Sequence, residues 1–221
     1  MLNISLDISS HTSLERPTKG LIYLTSLCMA FICIRVVAKG DVRYVFLVWN
    51  IFLAWTPFWL AHLAEITNNK ALKAGLLCVW LLFFPNSPYI ITDLLHLRNY
   101  QQNIAWFDTI LIFMFALTGL VLGLFALKKV HKIIEFYVGN AFSWLSIGFI
   151  CFISGFGIYL GRYCRLNSWD LFQNPFWLIA RVLRQFENPL SYQVTCLFGV
   201  VLLSLYGIFH YFGAPNEKQI A

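Results

Sequence analysis

The chain has 221 residues, of which 59% are hydrophobic, 18% are aromatic and only 12% are charged. Soluble domains carry about 25% charged residues, so this composition excludes an ordinary soluble protein and fits a chain whose solvent is lipid. The net charge of +6 is spread as single and paired basic residues between apolar runs, which argues against a nucleic-acid-binding surface and predicts membrane lipids as the partners of these cations.

The first 20 residues are polar, contain Asp7 and Glu15, and lack the basic segment that begins a secretion signal. An apolar run from Leu21 to Ala38 follows, and it is long enough for a helix to cross about 30 Å of hydrocarbon. We therefore predict a polar N-terminal segment over residues 1–20, followed by a retained first membrane span.

Further apolar segments follow at the spacing of a helical membrane bundle. The second, fourth, fifth and sixth spans cover Tyr44–Leu63, Ala105–Leu127, Phe142–Gly161 and Tyr192–Phe212. The third span begins near Leu72. The predicted fold is all-α, a polytopic bundle of about six transmembrane helices. It forms a single domain over residues 21–212, with a short polar tail over residues 213–221.

The third span differs from the others because prolines interrupt it at Pro85-Asn86-Ser87-Pro88. Proline has no amide hydrogen, so we expect the carbonyl groups of Leu81 and Phe84 to lose their helical partners. In hydrocarbon such a break survives only against protein or a water-filled cavity. The sequence therefore predicts a broken third span, and the break is either a packing kink or an element of a binding site.

Two pairs of glycines, Gly119 with Gly123 and Gly157 with Gly161, are spaced four residues apart within the fourth and fifth spans. Pairs of this kind let helices approach closely. We expect them to pack inside the bundle, with dimerisation as the alternative.

The segment Pro175–Asn188 has the pattern of an amphipathic helix. Aromatic and aliphatic residues fill most of the helical wheel. The four polar residues that recur at helical spacing are Arg181, Arg184, Gln185 and Asn188. Asn174 is the expected N-cap, with Pro175 at the first helical position. The pattern predicts a helix lying in the headgroup plane, and a helix packed on another loop is the alternative.

Orientation in the membrane is not decided by charge. With six spans the 16 Lys and Arg residues divide evenly between the two sides, so the excess of positive charge that marks a cytoplasmic side is absent. The dense basic segment Lys128–Lys132 favours a cytoplasmic N-terminus.

Most of the unusual polar residues belong to one face of the membrane, because the connections after spans one, three and five share a side. After the break, Tyr89, Thr92, Asp93 and His96 recur at helical spacing. Asp93 and His96 could bind one metal ion or pair with each other by a hydrogen bond. Since two ligands do not make a metal site, we predict no metal and no cofactor. Asp108 stands in the first turn of span four, where a carboxylate complements the helix dipole.

The connection after span five adds cations to the same face. Arg162 and Arg165 either face lipid headgroups or clamp a phosphate or carboxylate, and Ser168 is the expected N-cap of a turn that follows. The candidate catalytic residues are Asp93, His96 and Asp108. The candidate binding residues are Asn50, Asn86, Ser87, Tyr89, Thr92, Arg162, Arg165, Asn167, Trp169 and Asp170.

Four segments on this face resemble a family of uncharacterised bacterial membrane proteins that is catalogued only as a domain of unknown function. They are Trp49-Asn50, residues 83–97 (FFPNSPYIITDLLHL), residues 155–162 (GFGIYLGR) and residues 167–170 (NSWD). The resemblance covers about residues 44–212. It implies a multi-span protein of the bacterial plasma membrane, and it assigns no activity to any residue.

Two classes of function remain open at this point. The first is an enzyme or binding protein that acts on a lipid-linked or anionic small molecule, and the second is a non-catalytic membrane subunit or assembly factor. A small transporter is a third possibility, which the lack of an internal repeat disfavours. No HExxH, GxSxG, P-loop or DxD pattern points to a reaction, so whether the protein is an enzyme, and its oligomeric state, stay open.

Overall fold

A computed structural model describes residues 8–99 and 105–213, with side chains described over 17–95, 106–171 and 173–213. This part of the chain is helical and contains no strand, which confirms the all-α fold. The α-helices are α1 (Ile8–Lys39), α2 (Phe46–Ile66), α3 (Lys70–Phe83), α4 (Asn86–Tyr89), α5 (Ala105–Val138), α6 (Asn140–Tyr163), α7 (Asp170–Gln173), α8 (Pro175–Arg184) and α9 (Pro189–Phe212). Two 3₁₀ helices cover Ile90–Asn99 and Gln185–Glu187.

Six helical segments are long and apolar enough to cross a membrane: Pro17–Lys39, Phe46–Ile66, Lys70–Leu95, Trp106–Val138, Asn140–Tyr163 and Pro189–Phe212. The predicted number of spans is therefore confirmed. Large apolar side chains such as Phe142, Leu145 and Phe149 stand exposed on the outside of the bundle, as expected for surfaces that face lipid.

Two helices extend beyond their predicted limits. Helix α1 begins at Ile8, inside the segment predicted as a polar N-terminal arm, and α5 continues through the basic residues 128–132 to Val138. Lysine favours helix, and the ammonium groups find partners there. Lys128 donates to the carbonyl of Gly213 at 3.1 Å, and Lys129 pairs with Glu65. The basic segment is thus the last part of a helix and not a loop.

Helix α5 lies at the centre of the bundle and contacts α1, α2, α4, α6 and α9. Its inward face is apolar and fully buried at Leu111, Phe115 and Leu122. Beside it, Trp80 and Phe84 stack with ring centroids 4.7 Å apart just before the break. The break is therefore embedded in the core and not exposed to lipid.

The break is a change of helix type within one span. Helix α3 ends at Phe83, the single turn α4 follows, and the chain then continues as a 3₁₀ helix. The amide of Ser87 donates to the Phe84 carbonyl at 3.1 Å, and that of Tyr89 donates to the Pro85 carbonyl at 3.0 Å. Local bonds of this kind replace part of the hydrogen bonding that the prolines remove.

Both glycine pairs hold the break between α5 and α6. A Cβ atom at Gly119 would lie 2.7 Å from the carbonyl oxygen of Ser87, and one at Gly157 would lie 2.5 Å from Cγ of Pro85. Gly161 is packed somewhat less tightly, since its Cβ would meet the Tyr89 ring at 3.1 Å. The prediction that these glycines allow close approach inside the bundle is confirmed.

The amphipathic helix before the last span is also present. The Asn174 side chain accepts a hydrogen bond from the amide of Trp177 at 3.2 Å, which confirms the predicted N-cap. Phe176, Ile179 and Leu183 are exposed, and the Arg181 guanidinium lies 4.9 Å from the centre of the Trp177 ring. An exposed apolar stripe beside cations is the arrangement of a helix in the headgroup plane.

Candidate functional site

Two adjoining openings lie where α2, α6 and the break converge. The first, called here the apolar cavity, has a volume of about 340 Å³ and lies between Leu53 of α2 and Leu160 of α6, with Leu178 and Val182 of α8 covering it. The second, the polar cleft, has a volume of about 560 Å³ and is lined by Asp93, Arg162 and Arg165 among others. The two share four wall residues: Asn50, Tyr89, Gly161 and Asn167.

Asp93 is the centre of the polar cleft. One carboxylate oxygen accepts a hydrogen bond from the Asn50 amide at 2.7 Å, and the other lies 3.3 Å from a guanidinium nitrogen of Arg162. The carboxylate is almost wholly buried, and a buried charge is tolerated only with partners of this kind. The three residues stand on the 3₁₀ helix, α2 and α6, so this contact joins three spans.

The close approach of α6 to the break brings Arg162 over Asp93. Gly161 has no side chain, so the Tyr89 ring packs directly on α6 one residue before the arginine. The helix then ends, and Arg165 takes a left-handed backbone with φ of 54°. This turn directs Asn167 and Ser168 back toward the break, so the connection forms one wall of both openings.

Ser168 and Asn86 close the seam between this connection and the break. The Ser168 hydroxyl donates to the Leu82 carbonyl at 3.0 Å, and the Asn86 amide donates to the Ser168 oxygen at 3.3 Å. The prediction that Ser168 caps a following helix is therefore wrong. Trp169 holds the cap position of α7 without a side-chain bond, and the Ser168 oxygen accepts from Asn86 instead of from an amide of α7.

Three candidate binding residues bond to the backbone and line neither opening. Ser87 donates to the Ala54 carbonyl at 2.9 Å, and Thr92 donates to the Tyr89 carbonyl at 2.7 Å. Asp170 accepts from the amide of Asn167 at 2.7 Å. These side chains hold the break and the connection in shape. The candidates that do line an opening are Asn50, Asn86, Tyr89, Asp93, Arg162, Arg165, Asn167 and Trp169.

Asp108 belongs to a separate ion cluster that ties α1 to α5. Arg35 donates to Asp108 at 2.9 Å and to Asp41 at 2.8 Å, and its guanidinium lies 4.6 Å from the centre of the Tyr44 ring. The hydrogen bond from Arg35, with a further one from the Arg43 amide, lowers the pKa of Asp41. Asp108 lines neither opening. The sequence already indicates a buried partner for Arg35, because a charged residue inside an apolar run usually pairs with another group inside the bundle.

The side chain of His96 lies outside the described residues, so its pairing with Asp93 stays a prediction. Among the side chains that the structure describes, no group of three or more histidine, cysteine, aspartate or glutamate residues is placed to hold a metal ion. The residues that sequence reasoning missed are the apolar walls, Leu53, Leu160, Leu178 and Val182. Aliphatic side chains carry no chemical signal that separates a cavity wall from a lipid-facing surface.

Comparison of the sequence with known proteins identifies the family of this chain. Neither the curated proteins nor the solved structures contain a match to the chain. One family, described as a protein of unknown function (DUF1361), matches residues 49–205, which is more than half of the chain. The matched region contains all four of the segments on which the resemblance rests, together with every lining residue of the two openings except Phe46. The chain is therefore a six-span integral membrane protein that belongs to the DUF1361 family.

Proposed function

We propose that this protein binds an anionic amphiphile, a lipid-linked or lipid-like molecule, with its charged group in the polar cleft and its apolar chain in the apolar cavity. The observation that carries the proposal is that the two openings adjoin and share Asn50, Tyr89, Gly161 and Asn167 as lining residues. A ligand that fills both must be charged at one end and apolar at the other. We place the protein in the bacterial plasma membrane, where such molecules are found.

The charge of the polar cleft favours an anion. Asp93 compensates one of the two arginines through its contact with Arg162. Among the described side chains no carboxylate forms an ion pair with Arg165, whose side chain lines the same cleft and is exposed. A net positive charge therefore remains. Arginine offers several N–H groups in a planar fork, which suits the oxygen atoms of a phosphate or carboxylate.

Asp93 has a positioning role in this proposal. Both of its oxygen atoms accept hydrogen bonds, one from Asn50 and one from Arg162, so the carboxylate fixes the direction of the guanidinium. An arginine held in this way loses little side-chain freedom when it binds an anion. Binding is thus supported by preorganisation of the site, whether or not a chemical step follows.

The apolar cavity suits a hydrocarbon chain. Leu53, Leu82, Leu160 and Leu178 line it together with the rings of Trp49 and Trp169, whose centroids are 6.1 Å apart. Helix α8 covers the cavity with Leu178 and Val182, while its other apolar residues Phe176, Ile179 and Leu183 are exposed. In this proposal α8 lies at the membrane surface, and a ligand dissolved in the bilayer enters the cavity beside it.

The test is to identify and count the lipids that stay bound during purification. The protein in mild detergent is compared with Arg165→Gln, and Arg181→Gln on α8 serves as the matched control, because Arg181 lines neither opening. A hydrogen bond to a charged group contributes about 1.5–3 kcal/mol, so Arg165→Gln should retain about 10- to 100-fold less of one anionic lipid species. The control should retain as much as the unaltered protein.

Equal retention by both variants would contradict the proposal. The same preparations show whether another protein chain copurifies. A stoichiometric partner in the absence of any bound lipid would favour the alternative, a non-catalytic subunit.

A further inference from the structure

A second polar cluster lies at the opposite end of the bundle and involves none of the residues that line the polar cleft or the apolar cavity. It consists of His131 on α5, Ser143 on α6, and Tyr206 and His210 on α9. His131, Ser143 and Tyr206 are buried. Ser143 and Gly161 are 18 residues apart on α6, which corresponds to about 27 Å along a helix, so the cluster is near the other membrane face.

The hydrogen bonds of this cluster run in one direction. The Ser143 hydroxyl donates to the Asn140 carbonyl at 2.6 Å, and a hydroxyl has a single hydrogen. The 3.0 Å contact between Nε2 of His131 and the Ser143 oxygen is therefore donated by the histidine. In the neutral ring Nδ1 then carries a lone pair and accepts from the Tyr206 hydroxyl at 2.7 Å.

The chain of donors continues to His210. Because the Tyr206 hydrogen is directed at His131, the phenol oxygen can only accept at its other contact, which is Nδ1 of His210 at 3.5 Å. The two imidazoles thus lie on either side of one hydroxyl, with ring centroids 5.3 Å apart. Trp144 packs edge-on against both rings, with centroids at 4.8 Å and 5.1 Å.

We propose that His131, Tyr206 and His210 form a buried protonation site that takes up one proton and shares it between the two imidazoles. A proton added at Nε2 of His210 leaves that ring cationic with Nδ1–H directed at Tyr206. The Nδ1 proton can then pass to the phenol oxygen while the phenol hydrogen passes to Nδ1 of His131. His131 becomes the cation, His210 is neutral again, and Tyr206 keeps one hydrogen with its direction reversed.

The site holds one proton and not two. With both rings protonated, each would direct an Nδ1–H at the same phenol oxygen, and the phenol hydrogen would have neither of its acceptors. The two like charges would also stand at the short ring separation given above. The other titratable groups that act on the cluster are Glu135 on α5 and Cys151 on α6. Lys128 and Lys132 flank His131 along α5, and α9 carries no carboxylate over Pro189–Phe212.

His210 is the entry point of the proton in this proposal, because it is the most exposed member of the cluster. His210 is partly exposed and stands two residues before the end of α9, whereas His131 and Tyr206 are buried. Ionisable side chains inside spans are costly and usually serve a function. This site shares no residue with the polar cleft or the apolar cavity, so its charge would act on the packing of α5, α6 and α9 whatever those two openings bind.

The experiment follows the protonation of individual histidines. The full chain with ¹⁵N-labelled histidine is placed in lipid nanodiscs, and the ring nitrogen signals are recorded between about pH 5 and 8, where histidine ordinarily changes charge. The chain has five histidines, and single His→Gln variants assign their signals. We expect the signals of His131 and His210 to change together, with fractional protonations that sum to one proton. Two full protons on the pair, or a His131 that stays neutral while His210 titrates, would overturn the proposal.

Two variants test the role of the shared hydroxyl. Tyr206→Phe keeps the ring and removes only the oxygen, so His131 should no longer follow His210 in the titration. His62→Gln is the matched control, because His62 on α2 lies beside Glu65 and outside the cluster, and it should leave both curves unchanged. Unaltered joint titration in Tyr206→Phe would show that the hydroxyl does not link the rings.

Discussion

Gly157 is the position where the packing of the break against α6 can be tested most directly. A Cβ atom there would lie 2.5 Å from Cγ and 2.9 Å from Cβ of Pro85. Both contacts are shorter than atoms tolerate, and the proline ring cannot rotate away. Gly157→Ala therefore forces α6 and the break apart, and Gly148→Ala on the same helix is the matched control, because nothing lies within 4 Å of its added atom.

The magnitude follows from what the two variants share. Both gain helix propensity when alanine replaces glycine, about 1 kcal/mol at most, so this gain cancels in the comparison. The difference then reports the cost of overpacking at Gly157, about 1–3 kcal/mol. For a chain of this length each kcal/mol corresponds to about 2–4 °C in Tm. Gly157→Ala should melt roughly 2–12 °C below Gly148→Ala.

Thermal unfolding in detergent, followed by circular dichroism, measures this difference. The double variant Gly157→Ala with Pro85→Ala removes the Cγ atom at 2.5 Å and leaves the Cβ atom at 2.9 Å. Because the two sites are in contact, Gly157→Ala should lower the Tm of the Pro85→Ala variant by less than it lowers the Tm of the unaltered protein. A Gly157→Ala protein that melts at or above the control would refute the packing of the break against α6.

Three further predictions concern the charged side chains and the surface helix. Asp108→Asn should lower the free energy of unfolding by less than the about 3–5 kcal/mol that an uncompensated buried charge costs, because Asp41 still pairs with Arg35. Arg35→Met combined with Asp108→Leu should come close to the unaltered protein in the same melting assay. Asp93→Asn should abolish retention of the anionic lipid by releasing Arg162, and lipid retention unchanged beside a lowered Tm would show a purely structural role. A synthetic peptide of residues 175–188 should become helical on anionic vesicles and stay disordered in buffer, as circular dichroism would show.

The sequence alone was sufficient for the architecture because its determinants are local. A run of apolar residues predicts a span wherever it occurs, proline removes a hydrogen bond whatever surrounds it, and Asn174 caps the helix that starts beside it. The predicted end of α5 is wrong for a reason that lies outside that helix. The lysines predict the end of the span at Leu127, but Lys128 and Lys129 find partners in Gly213 and Glu65, 85 and 64 positions away, and the helix continues.

Which polar residues meet was decided only by the tertiary structure. Asp93 pairs with Arg162, 69 positions away, while Asp108 pairs with Arg35, 73 positions away, and all four were visible in the sequence. Alternation of spans brings side chains to the same membrane face, but contact also requires the rotation and depth of each helix. Those depend on close packing such as Gly161 against Tyr89, which joins residues distant in the chain, and no pattern within one helix specifies it.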